Sequence, residues 1–330
     1  LVIKQLDHGT ILTSGSGGNY TINENSISAA VDKVYDATVV VASYKGETLV
    51  STGTGFVYKT EGSTSYIMTN NHVVSGGGSA KVIFSDGTSA DTQILGGETY
   101  SDIAVLTVST SSIKQVATLG NTENMKLGDT VFAVGAPLGD TYSGTVTKGI
   151  LSGKDRLVAV SFSGSNSDYY MKVLQTDAAI NSGNSGGALV NSKGQVIGVN
   201  TLKLSGTGVE GVGFAIPINS TKSIYEQLIQ YSKVKRPYIG IGGIDLDENT
   251  AKANNLVVGV YIKTIEDFSA GEKAGLKVGD VIIEADGTKI TTMDELNDIK
   301  NKKQIGDTIT LKIYRDGKEK SVTITLQERP

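Results

Sequence analysis

Gly183-Asn184-Ser185-Gly186-Gly187, running on into Ala188-Leu189-Val190-Asn191-Ser192-Lys193-Gly194-Gln195-Val196-Ile197-Gly198-Val199, places a serine between glycines at the head of an apolar stretch. A hydroxyl that attacks a carbonyl has to stand on a tight turn, where backbone N–H groups can point at the developing oxyanion. Glycines on both sides permit such a turn and the close approach of a substrate. The pentapeptide also fits the G-x-S-x-G nucleophile elbow, in which the serine opens a helix and a histidine follows it in the chain. Both requirements fail. Residues 188–199 read as strand, turn, strand, and no histidine lies beyond position 72.

Working outward from Ser185, a base and a group to orient it have to be found. The chain has two histidines, His8 and His72. His72 stands in Thr69-Asn70-Asn71-His72-Val73-Val74, directly after the strand Tyr66–Met68, where the plain reading is a structural histidine at a strand end. As the one histidine of the folded part, it is also the only base available to Ser185. Asp102, in Ser101-Asp102-Ile103-Ala104-Val105-Leu106, leads into an apolar run, and a buried carboxylate needs a partner such as an imidazole N–H. Competing aspartates are blander: Asp86 precedes Gly87 in a turn and Asp129 follows Gly128 before a strand. The order His, Asp, Ser matches the chymotrypsin arrangement and excludes the subtilisin order.

The rest of the chain agrees with a mainly β protein. Residues 1–25 are poorly periodic, with Ser14-Gly15-Ser16-Gly17-Gly18 reading as a flexible loop or tail, and Ser26–Asp36 carries helical apolar spacing. Short β-rich runs separated by Gly, Asn, Asp and Ser then follow one another, the mark of antiparallel barrels or sandwiches. The first set is Val39–Tyr44, Gly55–Tyr58, Tyr66–Thr69, Lys81–Phe84 and Ile103–Val108. The second is Thr130–Val134, Thr145–Ser152, Val158–Phe162, Met171–Gln175, Ala188–Asn191, Val196–Leu202 and Gly213–Ile216. Two sets of about six strands imply two barrels. Asn219–Ser232 reads as a helix, stopped before Pro237 in the linker Val234-Lys235-Arg236-Pro237. Residues 238–330 mix strands with a helix at Met293–Lys300, opened by a capping box of Thr292 and Glu295. The expected domains are thus 1–25 as an N-terminal segment, 26–233, a linker at 234–237, and 238–330.

Composition removes other classes of function. With 330 residues, 38% apolar content, 41 glycines and four prolines, the chain is turn-rich and globular, long enough for more than one core. A net charge of −4 without a basic stripe gives no footprint for nucleic acid. The absence of cysteine removes thiol nucleophiles, disulfides and thiolate zinc sites, and two histidines cannot make a three-histidine metal site. No metal or other cofactor is called for. The chain begins at Leu1 rather than Met, which leaves room for an upstream signal or anchor outside this sequence.

The stretches TNNHVV, SDIAVL and DAAINSGNSGGAL, with GVGFAIP after them, closely resemble the HtrA/Deg family of serine proteases, and the resemblance covers residues 26–330. It implies a chymotrypsin-like double β-barrel, with His72 as general base, Asp102 as its orienting carboxylate and Ser185 as nucleophile. The N–H groups of Gly183 and Ser185 would form the oxyanion hole. In trypsin-like enzymes an aspartate six positions before the serine selects a basic P1 residue. That position is Ala179 here, followed by Ile180, so the S1 pocket would be floored by Ile180 and suit small or medium aliphatic side chains. The nearest acid, Asp177, reads as a hydrogen-bonded structural carboxylate. Gly211, Val212, Gly213, Phe214 and Ala215 would pair with the substrate backbone as an added strand.

Tyr238-Ile239-Gly240-Ile241 and Ala274-Gly275-Leu276-Lys277-Val278-Gly279-Asp280-Val281-Ile282 look like a bacterial-type PDZ domain, a small α/β module. The loop Tyr238, Ile239, Gly240, Ile241 would bind a peptide's C-terminal carboxylate. The family resemblance implies an ATP-independent endopeptidase acting on unfolded or misfolded proteins outside the cytoplasm. It further implies a homotrimer, and peptides with free C-termini as PDZ partners. The competing reading is a peptide-binding chaperone or scaffold with an idle protease fold, against which stand three intact motifs in order.

Overall fold

The computed structural model describes residues 4–6, 10–13, 20–22, 25–135, 144–160, 169–203 and 211–328. It divides into two units, Leu1–Val234 and Lys235–Pro330.

In the first unit β1 (Lys4–Leu6), β2 (Thr10–Thr13) and β3 (Tyr20–Ile22) form an antiparallel meander in a stretch where no periodicity was expected. Ser14–Gly18 lies outside the described residues. The expected helix at 26–36 is α1 (Asn25–Asp32), followed by a tighter turn in which the Val34 and Ala37 amides bond three residues back. Six strands then close a barrel: β4 (Thr38–Lys45), β5 (Thr48–Glu61), β6 (Thr64–Thr69), β7 (Ser79–Ile83), β8 (Ser89–Glu98) and β9 (Ile103–Ser109), in the order β4-β5-β6-β9-β8-β7. The short helix α2 (Asn71–Val74) follows β6. β8 escaped the sequence reading because its burial never exceeds intermediate until Glu98 and two glycines interrupt it.

The short β10 (Thr118–Leu119) leads to the second set: β11 (Thr130–Gly135), β12 (Thr145–Val160), β13 (Tyr169–Thr176), β14 (Ala188–Asn191), β15 (Gln195–Lys203) and β16 (Gly213–Pro217). The β15–β16 pairing closes them into a second six-stranded barrel, with β10 beside β15. β12 merges two expected strands. Register shifts at Leu151/Gly153 and Gly153/Arg156 let one long strand bend instead of ending; of its expected residues, Ser161 and Phe162 lie outside the description. Helix α3 (Ile218–Tyr231) closes the unit, with Ser232 at φ 59° bonding back to the Leu228 carbonyl.

Period-two alternation sorts the strand residues into three cores. Val57, Ile67, Ala104 and Leu106 fill the first barrel, and Val131, Ala133, Leu189 and Ile197 the second. Their neighbours Phe56, Met68, Ile103 and Val105 face the other way and meet Phe132, Val134, Ala188 and Val190 in a core between the barrels. Each large side chain buried there is worth about 1.5–3 kcal/mol, so the barrels are joined by packing.

The second unit begins inside the expected linker. Pro237 already belongs to β17 (Pro237–Tyr238), which pairs with β24 (Gln327–Glu328) at the other end of the unit. β18 (Ile241–Leu246), helix α4 (Glu248–Ala253), β19 (Gly259–Ile265), helix α5 (Ala270–Lys273), β20 (Val281–Ala285), β21 (Thr288–Lys289), helix α6 (Met293–Lys300), β22 (Thr308–Arg315) and β23 (Lys318–Thr325) make up the rest. The sheet runs β18-β19-β20-β22-β23, with β21 on β20. The capping box at Thr292 and Glu295 is formed, and on α6 Leu296 is buried while Met293 and Ile299 are partly so. Asp280 is a structural carboxylate. It is buried, accepts the Lys277 amide, and is held by both the Nε and an Nη of Arg315.

Candidate active site

His72 stands on α2 rather than at the end of β6. Asn70 precedes that helix in extended conformation without a side-chain capping bond, and the Ser75 amide closes its turn on the Asn71 carbonyl. Asp102 lies where β8 turns into β9, at φ 53°, a left-handed conformation that short polar residues tolerate best. The turn is held from one side by Glu98, whose buried carboxylate accepts the Ser101 amide at 2.6 Å. From the other side the Asn71 amide and Asn70 Nδ2 both donate to the Asp102 carbonyl, at 3.1 and 2.9 Å. These bonds aim the carboxylate at the histidine. Asp102 Oδ2 lies 2.8 Å from His72 Nδ1, and Oδ1 accepts the His72 amide at 3.0 Å. The aspartate side chain is 10% exposed and the imidazole 50%, so the outer face of the ring is open to a reactant.

Ser185 comes from the second barrel, on the turn 181–187 before β14. Two amides close that turn, Asn184 to the Asn181 carbonyl and Gly187 to the Asn184 carbonyl. Gly183 and Gly186 sit at φ 99° and 84°, and a side chain at Gly186 would run into the Thr54 carbonyl and Thr69 Oγ1. The glycines around Ser185 therefore serve both turn conformation and contact with the first barrel. That contact is made by Thr54 of β5, whose amide donates to the Ser185 carbonyl at 2.8 Å and whose hydroxyl donates to the Gly183 carbonyl at 2.6 Å. Among the described residues the amides of Gly183 and Ser185 themselves make no hydrogen bond. They are two donors two residues apart on one turn, free for an incoming oxygen.

Thr201 of β15 joins the two halves. Its hydroxyl donates to Asp102 Oδ2 at 2.7 Å, and its carbonyl accepts the Ser185 hydroxyl at 3.1 Å. In this state the serine Oγ–H is thus directed at a backbone carbonyl. Thr54, Thr201, Glu98 and Asn70 were all missed by sequence reasoning. Thr54 had one signal, its place between Gly53 and Gly55, which marks a close approach of backbones; the other three carry none without the fold.

Ile180 is buried, and its Cγ1 lies against Gly213, where a Cβ would come within 2.5 Å of it. The Ala179 carbonyl is held by Thr147 Oγ1 and Asn184 Nδ2. Asp177 Oδ1 accepts the Ile150 amide at 2.6 Å, a structural use. The expected strand pairing through 211–215 needs correction. Gly213, Phe214 and Ala215 are inside β16 and already paired on one side with Thr176, Gln175 and Leu174, while on the other Ala215 pairs with Asn200 and Gly213 with Lys203. Gly211 and Val212 precede the strand. Among the described residues, main chain without a ladder partner lies on β15 instead, where Thr201 and Leu202 fall in a register shift and β14 pairing ends at Val199.

In the second unit Gly240 takes φ 83° between β17 and β18. Its carbonyl accepts the Glu266 amide and that of Ile239 accepts the Gly271 amide, while the Ile239 and Gly240 amides make no hydrogen bond among the described residues. β18 ends the sheet, so one edge of it has no strand beside it there, and α6 runs close by, its Met293 amide bonded to Asp245 and its Met293 sulfur next to Gly243. Tyr238 and Ile239 are buried and Ile241 is half-buried.

Comparison with known proteins matches residues 53–199 to the trypsin-like peptidase domain and residues 237–326 to the PDZ domain. The protein named serine protease Do-like HtrA from Lactococcus lactis subsp. cremoris (strain MG1363) is 34% identical over 352 aligned residues, covering 96% of this chain and 86% of that protein. The chain belongs to the HtrA family of serine proteases. A relative of the same name from Bacillus subtilis (strain 168) is 42% identical over 293 residues, 86% of this chain. The chain spans only 65% and 62% of the lengths of that HtrA and of the HtrB of the same strain. Among solved structures, the serine endoprotease from Yersinia pestis has a TM-score of 0.75 at 31% identity, covering 92% of this chain and 98% of that one. The HtrA-type protease AlgW, solved with a decapeptide, has a TM-score of 0.79 at 27% identity, covering 92% and 99%.

Proposed function

We propose that this chain is an ATP-independent serine endopeptidase that degrades or processes unfolded proteins outside the cytoplasm, and that its PDZ unit captures peptides by their free C-termini. One arrangement carries the reading. A buried carboxylate fixes Nδ1 of a half-exposed imidazole on one barrel, and on the other a serine turn offers two free amides. In the reaction Ser185 Oγ leaves the Thr201 carbonyl for His72 Nε2, gives up its proton there and bonds to the scissile carbonyl carbon. The amides of Gly183 and Ser185 receive the oxyanion, and the proton on His72 passes to the leaving amine. Asp102 keeps the ring in the productive tautomer and stabilises its charged form. The substrate backbone adds to the free stretch of β15 at Thr201–Leu202. The side chain before the scissile bond rests on Ile180, where an unpaired Lys or Arg would be costly to bury. Assembly as a trimer follows the family reading and is checked by sedimentation.

The deciding experiment incubates the chain and its Ser185→Ala variant with casein and sequences the fragments. Cleavage without ATP, ends rich in Val, Ile, Ala, Leu and Thr, and a loss on the order of 10⁶ in kcat for the variant are expected. Equal cleavage by both proteins removes the serine mechanism, and fragments ending in Lys or Arg remove the reading of Ile180. An idle protease fold would leave casein intact in both.

A further inference from the structure

Seven residues other than glycine take positive φ among the described residues, and six of them are Asp, Asn or Ser. The seventh is Phe268, at φ 61°. Short polar side chains enter the left-handed region at small cost, but a bulky residue there is strained. Nothing in the fold's own packing accounts for the strain, since Phe268 is 81% exposed, the highest among the exposed large apolar residues. Its backbone is nonetheless well held. The Phe268 amide donates to Glu272 Oε2 at 2.6 Å, and the next residue, buried Ser269, caps α5 through the Glu272 amide. The loop therefore displays an aromatic ring in solvent at the expense of strain.

The place of that ring narrows its use. On one side of Phe268 the Glu266 amide donates to the Gly240 carbonyl, and on the other the Gly271 amide donates to the Ile239 carbonyl. Ser269 packs so closely on Gly240 that a side chain at Gly240 would run into it. Phe268 thus stands on the rim of the Ile239–Gly240 loop, whose free amides are the carboxylate donors of the reading above. When a peptide adds to the edge of β18 with its carboxylate there, its last side chain enters between β18 and α6. Alternation along a strand turns the penultimate side chain out of that pocket at the same end. It is the side chain within reach of a ring on the rim.

We propose that Phe268 is a specificity residue of the PDZ unit, an aromatic lip that selects C-terminal peptides with an apolar or aromatic penultimate side chain. This rests on the C-terminal capture reading. The test uses the full chain carrying Ser185→Ala, so that no peptide is cut, with and without Phe268→Gly, a substitution that suits the left-handed backbone. Fluorescence anisotropy compares peptides ending in Tyr-Val, Gly-Val and amidated Tyr-Val. The parent should favour Tyr-Val over Gly-Val by about tenfold, the factor expected for partial burial of one ring. Phe268→Gly should remove that preference while leaving Gly-Val affinity unchanged and raising the unfolding midpoint of the second unit. A preference that survives the substitution, or a midpoint that falls with it, overturns the lip. Equal binding of acid and amide overturns carboxylate capture itself, and the lip with it.

Discussion

The two units treat their strand edges in opposite ways. The first closes its two large sheets into barrels, and among the described strands beside the candidate active site it leaves Thr201–Leu202 of β15 without ladder partners. The second keeps a whole edge strand, β18, open beside a helix and a loop with free amides. Chemistry at one serine needs atoms held to a fraction of an ångström, and closed barrels sharing a core supply this. Recognition of a chain end needs backbone groups left unpaired, and an open edge supplies that at the risk of unwanted strand pairing. The difference predicts that substitutions in the first unit act on rate, and those around β18 and α6 on binding or local stability.

The sharpest way to break this division is Asp102→Asn. It keeps the shape of the site but lets His72 take the wrong tautomer, and kcat should fall roughly 10⁴-fold while C-terminal peptide binding stays the same. A parallel fall in peptide affinity would contradict the separation. Thr201→Val should cost less. It removes one hydrogen bond to a buried charge, worth about 1.5–3 kcal/mol, so kcat should drop roughly 10- to 100-fold, and Thr201→Ser should restore most of it. Failure of serine to rescue would show that the methyl group, not the hydroxyl, matters.

The smallest effect belongs to the second unit. Thr292→Ala removes the cap of α6 and should lower that unit's stability by about 1 kcal/mol, seen in its unfolding midpoint, with kcat on casein unchanged. The same box has a pH signature. The Thr291 amide foremost, with the Thr291 hydroxyl and the Thr292 amide, holds the Glu295 carboxyl below its ordinary range. A depressed folded value stabilises above the unfolded value, about 4.3, and the contribution fades as pH falls through the folded one. Glu295→Gln should therefore flatten the acid side of the second unit's stability curve. An unchanged acid limb would assign that loss to other carboxylates.

Much of this could be read directly from the residues. The two sets of strands were visible because barrel strands alternate or run apolar, and α6 because Thr292 and Glu295 announce it. The three motifs holding His72, Asp102 and Ser185 stood out together: each residue alone has a bland explanation, but a glycine-framed serine, a histidine and a carboxylate before an apolar run in the order His, Asp, Ser do not share one. β8 was not, because a strand that is mostly exposed on one face and half-buried on the other carries little hydrophobic signal. The strand offered for substrate pairing was wrong for a related reason: the apolar run at 213–217 says that a strand exists, not which of its edges are occupied.

Sequence alone therefore determined which side chains can carry the chemistry and roughly where strands and helices run, because these depend on residue type and local period. Only the tertiary structure decided what holds them. Thr54 reaching across the seam to Ser185, Thr201 joining Asp102 to the serine, and Glu98 bracing the Asp102 turn are contacts between elements far apart in the chain or between side chain and backbone. Apart from the glycines that flank Thr54, a threonine or glutamate in such a role has the same local sequence as one facing solvent. The distinction is made by burial and hydrogen-bond geometry, which exist only once the barrels have closed and packed against each other.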